Sequence, residues 1–207
     1  MSKTILFDLD QTLGFFEQMI HIMNYSDLTC HELLTLFPEF FRPLLVDFLK
    51  GLIPHRHSGK IKSILIYSNN NNEAFVKSVI ESLHVFLGET LFDDVITLND
   101  PRRKKRQKDY QDLLSIQEGS LDHSILCFVD DKRHPLMNHP NVVYIQCEGY
   151  RHYVKHASVL DRIKRNIPEY VSTKRCLNRN NQQLVSKMLI HRIRMFIAKN
   201  SLDYSVA

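Results

Sequence analysis

The sequence has no tryptophan, six glycines, seven prolines and four cysteines. So few glycines and prolines exclude a collagen-like or Pro/Gly-rich disordered chain. A hydrophobic share of 43% over 207 residues is enough to build a buried core. Two full catalytic domains would not fit, so one domain with an appendage is expected. Cys30, Cys127, Cys147 and Cys176 lie far apart and form no Cys-x-x-Cys pair, which argues against a disulfide framework or a structural zinc site. No apolar run reaches the roughly 18 residues of a membrane span. The opening MSKTILFDLD carries acids where a secretion signal would be apolar. The expectation is a soluble protein of a reducing compartment, cytoplasmic or nuclear, with no membrane partner. None of the eleven histidines has a metal-binding spacing such as His-Glu-x-x-His, and His55-Arg56-His57 reads as exposed loop.

Charge is unevenly spread. Residues 1–150 carry 15 basic against 20 acidic side chains, a net of −5, whereas residues 151–207 carry 12 against 3, a net of +9. Two regions with different jobs are expected: an acidic domain over 1–150 and a basic helical extension over 151–207 packed on it.

Five short apolar runs bounded by polar residues read as strands: Thr4 to Phe7, Ile64 to Tyr67, Val95 to Leu98, Ile125 to Val129 and Val142 to Ile145. They are apolar without alternation, the pattern of strands buried on both faces of a parallel sheet. Between Glu73 and Leu87, Phe75, Val76, Val79, Ile80, Leu83, Phe86 and Leu87 recur at helical spacing, and an Asn from the preceding run 69–72 is a fitting N-cap. Helical patterns also fill Leu13 to Ser63, Val154 to Ile163 and Gln182 to Asn200, with a break at Pro168. In the last helix Leu184, Val185, Met188, Leu189, Ile193, Phe196 and Ile197 form the expected apolar face, with Lys187, Arg192, Arg194 and Lys199 mostly opposite. The fold class is therefore α/β, a doubly wound, Rossmann-like, mostly parallel five-stranded sheet with its ligand site at the carboxyl ends of the strands.

Chemistry concentrates at those ends. Asp8 and Asp10 follow the first strand two residues apart, so both carboxylates face one side of an extended chain. Ser68 ends the second strand ahead of Asn69 and Asn70, and Asp130-Asp131 closes the fourth. A carboxylate that attacks a phosphate must overcome like-charge repulsion, which calls for a divalent cation and a basic side chain. Asp8, Asp130 and Asp131 are hard oxygen donors of the kind Mg²⁺ prefers. Ser68 with the N–H groups of Asn69 and Asn70 at a helix N-terminus suits phosphate oxygens. The basic run Arg102 to Lys108 offers Lys104, Lys105 and Lys108 as the cation.

The run Phe7-Asp8-Leu9-Asp10-Gln11-Thr12-Leu13 resembles the Asp-x-Asp-x-Thr signature of phosphatases in the haloacid dehalogenase (HAD) superfamily. The family's later elements match Ser68 in ILIYSNN, Lys108 in RKKRQKDYQDLL and Asp130-Asp131 in ILCFVDDKR, in the same order. The resemblance implies Asp8 as nucleophile, Asp10 as general acid and base, and Thr12, Ser68 and Lys108 as further catalytic residues. It also implies phosphate binding by Ser68, Asn69 and Lys108, and Mg²⁺ binding by Asp8, Asp10, Asp130 and Asp131. An acid at position 10 marks a phosphatase, whose leaving oxygen needs a proton. The stretch Arg42-Pro43-Leu44-Leu45-Val46-Asp47-Phe48-Leu49 looks like the Arg-Pro-Gly, Asp/Glu-Phe-Leu run of the RNA polymerase II carboxy-terminal domain phosphatases, the FCP/SCP branch. Leu44 stands where that branch has Gly, Gln11 where Glu is usual, and its Trp is missing. The implied protein is a minimally capped, Mg²⁺-dependent protein serine/threonine phosphatase acting on a disordered phosphopeptide. The other readings are a phosphatase of nucleotides or nucleic-acid ends, served by the basic extension, and a non-catalytic binding protein of this fold.

Overall fold

The computed structural model describes residues 1–165 and 179–199, with the backbone alone at 179 and 180; Pro168 and the chain beyond 199 lie outside these. Five strands, β1 (Ser2–Phe7), β2 (Ser63–Tyr67), β3 (Asp94–Ile96), β4 (Ser124–Asp130) and β5 (Val142–Gln146), form one all-parallel sheet in the order β3-β2-β1-β4-β5. The chain builds leftward from β1 through β3, then crosses back to β4 and β5. Right-handed crossovers therefore place the two sets of connections on opposite faces.

Alternate strand residues feed two cores. Ile5, Phe7, Ile64, Ile66, Cys127 and Val129 face α1 (Glu17–Met23), α2 (Cys30–Leu36), α3 (Leu45–His57) and α4 (Glu73–Leu87). Leu6, Leu65, Tyr67, Leu126 and Phe128 face α5 (Tyr110–Ile116) and a short turn carrying Met137. The helices between β1 and β2 bury Met19, Leu33, Phe37, Phe40 and Leu49 in the first core, so that insertion is part of the domain rather than a lid over it. His55, Arg56 and His57 form the last turn of α3, not a loop, where basic side chains complement the helix dipole. Helix α4 starts at the Asn72 cap, whose side chain accepts from Phe75 N–H at 3.1 Å, and stops at Gly88 with φ +81°.

The β4 and β5 connections lie on the α5 side, which leaves the opposite face of those strands bare. Helix α7 (Arg179–Ala198) covers it, burying Leu189, Ile193, Phe196 and Ile197 after α6 (His156–Arg165). The buried stripe is rotated from the expected one. Gln182 and Ser186 are buried, while Leu184 and Met188 are 55% and 59% exposed. Ser186 is satisfied within the helix, its Oγ donating to the Gln182 carbonyl at 2.8 Å, so this polar side chain can be buried without a partner from the sheet. At the far end Lys3 of β1 donates to the Ile197 carbonyl at 2.7 Å and to the Lys199 carbonyl, so the first strand caps the last helix.

Leu44 adopts φ +65° just ahead of α3, a left-handed conformation that favours glycine. Leu44→Gly is expected to raise the midpoint of chemical denaturation, by up to about 1 kcal/mol of relieved strain. Phe196→Ala should cost about 3–5 kcal/mol in the same assay, whereas Met195→Ala, at a side chain 47% exposed against 2% for Phe196, should stay within about 0.5 kcal/mol.

Candidate active site

In a doubly wound sheet the ligand crevice opens where neighbouring strands send their connections to opposite faces, here between β1 and β4. Asp8 directly follows β1, and Asp130 is the last residue of β4. The carboxylate oxygens of Asp8, Asp130 and Asp131 can be chosen within 4.8 Å of one another, and no second such cluster occurs among the described residues.

Lys108 lies between them. Its Nζ is 2.6 Å from Asp8 Oδ1 and 2.6 Å from Asp130 Oδ2, with only 1% of the residue exposed. The rings of Tyr67 and Phe128 flank the ammonium at 5.8 and 5.6 Å. The lysine is fixed because it precedes the α5 N-cap Asp109, which accepts from Asp112 N–H and donates its own N–H to Tyr67 Oη. The rival lysines are elsewhere: Lys104 is exposed, and Lys105 pairs with Asp109 at 2.6 Å. Arg102 pairs with Asp94 and Asp100, so much of this basic run is neutralised within the domain.

Thr12, fully buried, ties the two strand ends together. Its hydroxyl donates to Asp8 Oδ2 at 3.2 Å and accepts from Asp131 N–H at 3.0 Å. Asp10 does not join the carboxylate cluster; its Oδ2 accepts from the Asn70 amide at 2.9 Å. Ser68 follows β2, but its Oγ accepts from Asn70 N–H at 3.1 Å, and the α4 cap lies further on at Asn72. Asn69 and Asn70 therefore precede the helix rather than form its first turn, and the Asn70 N–H is already engaged. Asn69 Oδ1 accepts from Arg103 at 3.1 Å.

Three supporting residues escaped the sequence reading. Arg42, 3% exposed, donates to the carbonyls of Thr12, Gln11 and Glu148 at 2.6, 2.8 and 2.7 Å, and so holds the loop after β1 against the segment after β5. Arg103 donates to the Ser68 and Thr97 carbonyls. His134 Nε2 lies 3.2 Å from Asp130 Oδ2. Nothing local marks these side chains; only their carbonyl and carboxylate partners, distant in sequence, do. Gly14 closes the loop because any Cβ there would come within 2.5 Å of the Phe40 carbonyl oxygen.

Burial is the main force on the acids. It pushes Asp8 up to about 6, with Asp130 adding to the push and Lys108 opposing it. Asp10 and Asp131 are raised for the same first reason. Asp130 is held low despite burial by hydrogen bonds from His134 and Lys108, and Lys108 is kept cationic against burial by Asp8 and Asp130. A set of hard oxygens crowded in this way fits a divalent cation, which would relieve the repulsion. The arrangement offers an activated carboxylate, a lysine to neutralise an incoming anion, and a separate buried acid. No protein-family model, curated protein or solved structure matches the chain.

Because the folded protein disfavours ionised Asp8, stability without metal should fall as pH rises from about 4 to about 6, the reverse of an acid whose pKa is depressed. Mg²⁺ needs the ionised form, so its stabilising effect in thermal melts should be larger at pH 7.5 than at pH 5.5. Asp131→Asn should melt above the parent without metal, by about 2–4 °C for each kcal/mol of repulsion relieved, and should lose most of the Mg²⁺ response. An Asp131→Asn protein that keeps the full response would rule out this cluster as the cation site.

Proposed function

We propose that the protein is a Mg²⁺-dependent phosphomonoester hydrolase of the HAD type working through an aspartyl-phosphate, and that its substrate is a phosphoserine or phosphothreonine in a disordered segment. The observation that carries this reading is Asp8 at the β1–β4 crevice, paired with Lys108 and hydrogen-bonded by Thr12, with Asp10 separately held by Asn70. Asp8 attacks phosphorus, and the bond from phosphorus to the leaving oxygen breaks. Asp10, raised by burial and so able to hold a proton, gives it to that oxygen. Asp10 then takes a proton from a water that attacks the aspartyl-phosphate, releasing phosphate and restoring Asp8. Lys108 offsets the negative charge that nucleophile and phosphate bring together. Asp8, Asp130 and Asp131 would hold a divalent cation, which would supply further charge neutralisation.

The protein-phosphatase branch is supported by the Arg42-Pro43 run and by the absorption of the helices between β1 and β2 into the core, which leaves the crevice open to a macromolecule. The internal pairing of Arg102 and Lys105 weakens the case for a nucleic-acid track along that loop. The thiols of Cys30, Cys127 and Cys147 are unpaired, in keeping with a reducing cytoplasmic or nuclear setting.

Asp8→Asn is expected to abolish hydrolysis of an aryl phosphate, as is chelation of Mg²⁺ from the parent protein. Asp10→Asn should slow poor alkyl leaving groups about 10²–10⁴-fold while sparing activated ones. Lys108→Ala should lower turnover steeply, with Lys104→Ala close to the parent. Full activity of Asp8→Asn would overturn the mechanism.

A further inference from the structure

The segment after β5 forms one wall of the crevice. Tyr150 N–H donates to the Gln11 carbonyl at 2.7 Å, and Arg42 ties the Glu148 carbonyl to the same loop. A Cβ at Gly149 would lie 3.0 Å from Gln11 Oε1 and 3.1 Å from Asp131 Oδ2, so this stretch closely approaches both acidic loops. Arg151 comes next. Its Nε donates to Gln11 Oε1 at 2.9 Å, and among the described residues its two Nη groups have no partner and no carboxylate pairs with it.

The other cations near the crevice differ. Lys108 is buried in the acid cluster, and Arg103 is committed to the carbonyls of Ser68, Thr97 and Arg106. Of the exposed cations there, Lys132, whose charge bears on Asp10 and Asp131, is a point charge, whereas Arg151 is anchored through one nitrogen and left with a planar fork. That fork matches the geometry of a phosphate or carboxylate. Its anchor, Gln11, lies between Asp10 and Thr12, so the fork stands beside the reacting group rather than on a remote surface.

We propose that Arg151, oriented by Gln11, binds a second anionic group of the substrate, a phosphate on a residue neighbouring the one hydrolysed. The preferred substrate is thus a peptide phosphorylated at closely spaced positions. The inference rests on the phosphatase reading for the place of the first phosphate. A peptide fits better than a nucleic acid because a single discrete fork stands here. A polynucleotide calls for a continuous cationic track, and Arg102 and Lys105 are already paired with acids.

The test measures binding of labelled peptides to the full-length Asp8→Asn protein with Mg²⁺ present, so that turnover does not enter. One peptide carries one phosphoserine; the other carries a second about two to four residues away, roughly 7–14 Å along an extended chain. The doubly phosphorylated peptide should bind about tenfold more tightly, the scale of one charge-assisted fork contact. Adding Arg151→Ala should bring the ratio close to one. Gln11→Asn, which tolerates the φ of +64° at this position but is too short to reach Arg151, should lower the ratio while keeping the charge. Equal affinities for the two peptides, or a preference that survives Arg151→Ala, would overturn the proposal. So would tighter, Arg151-dependent binding of a 5′- or 3′-phosphorylated oligonucleotide. Aryl phosphate hydrolysis by the parent protein is scored separately: its absence sinks the phosphatase reading, while the peptide ratio still decides the role of Arg151.

Discussion

The oxygens of Asp8, Asp130 and Asp131 lie within 4.8 Å of one another, with little water to screen them. Such a cluster is unfavourable unless cations offset it, since buried charges without partners lose several kcal/mol of hydration. Lys108 supplies the offset within the chain, while burial, with repulsion from Asp130 added, raises Asp8 and Asp131 above their ordinary range. The rings of Tyr67 and Phe128 beside the ammonium exclude water and strengthen both ion pairs. The same low dielectric makes loss of Lys108 costly, because it would leave two carboxylates facing each other.

Holding these charges at fixed spacing requires a rigid frame, and the frame is mostly backbone. Thr12 joins the ends of β1 and β4, while Arg42 and the Gly149 segment join the β1 loop to the end of β5. Each tie links parts of the chain far apart in sequence, so the site forms only once the sheet has closed. Reversal of strand order between β1 and β4 leaves a crevice there for the loops to line. The same reversal leaves half of one sheet face uncovered, and α7 fills it. Lys3 at the start of β1 then meets the last carbonyls of α7, so the end of the described chain is fastened to the strand that leads into Asp8.

Much of this was legible before the fold was known, because it is local. The three inner strands β1, β2 and β4 are short apolar runs buried on both faces, the edge strands β3 and β5 are partly buried, and helix α4 announces itself by period, Asn cap and closing glycine. Asp8, Asp10 and Asp130-Asp131 are legible because strand ends are legible. What was not legible depends on partners. Lys108 could not be separated from Lys104 and Lys105 by sequence, since its burial follows from where α5 begins. Arg42 opens the Arg-Pro run of the family resemblance, but its structural role shows only where three carbonyls converge on it. In α7 the period alone cannot say which stripe meets the sheet; the buried one includes Gln182 and Ser186 and leaves Leu184 and Met188 exposed. Asn69 and Asn70 read as a helix start because Asn favours caps, yet the cap is Asn72, while Asn70 serves Ser68 and Asp10 and Asn69 accepts from Arg103.

The charge balance also explains why the crevice needs cations from more than one source. Four carboxylates, Asp8, Asp10, Asp130 and Asp131, face one buried lysine, so an approaching phosphate dianion meets net negative charge. A divalent cation held by Asp8, Asp130 and Asp131 would reverse that locally, but not along the rest of a longer anionic substrate. Negative charge elsewhere on the substrate still meets Asp10 and Asp131, and a second phosphate would be repelled unless a separate cation stood near its path. Arg151 stands there, held by the residue between Asp10 and Thr12. Its distance from the cluster is an advantage: a guanidinium placed among the carboxylates would pair with them, as Lys108 does, and have no donors left for substrate. Anchoring through a neutral amide leaves the guanidinium charge unspent, which is what the proposed doubly phosphorylated substrate would require.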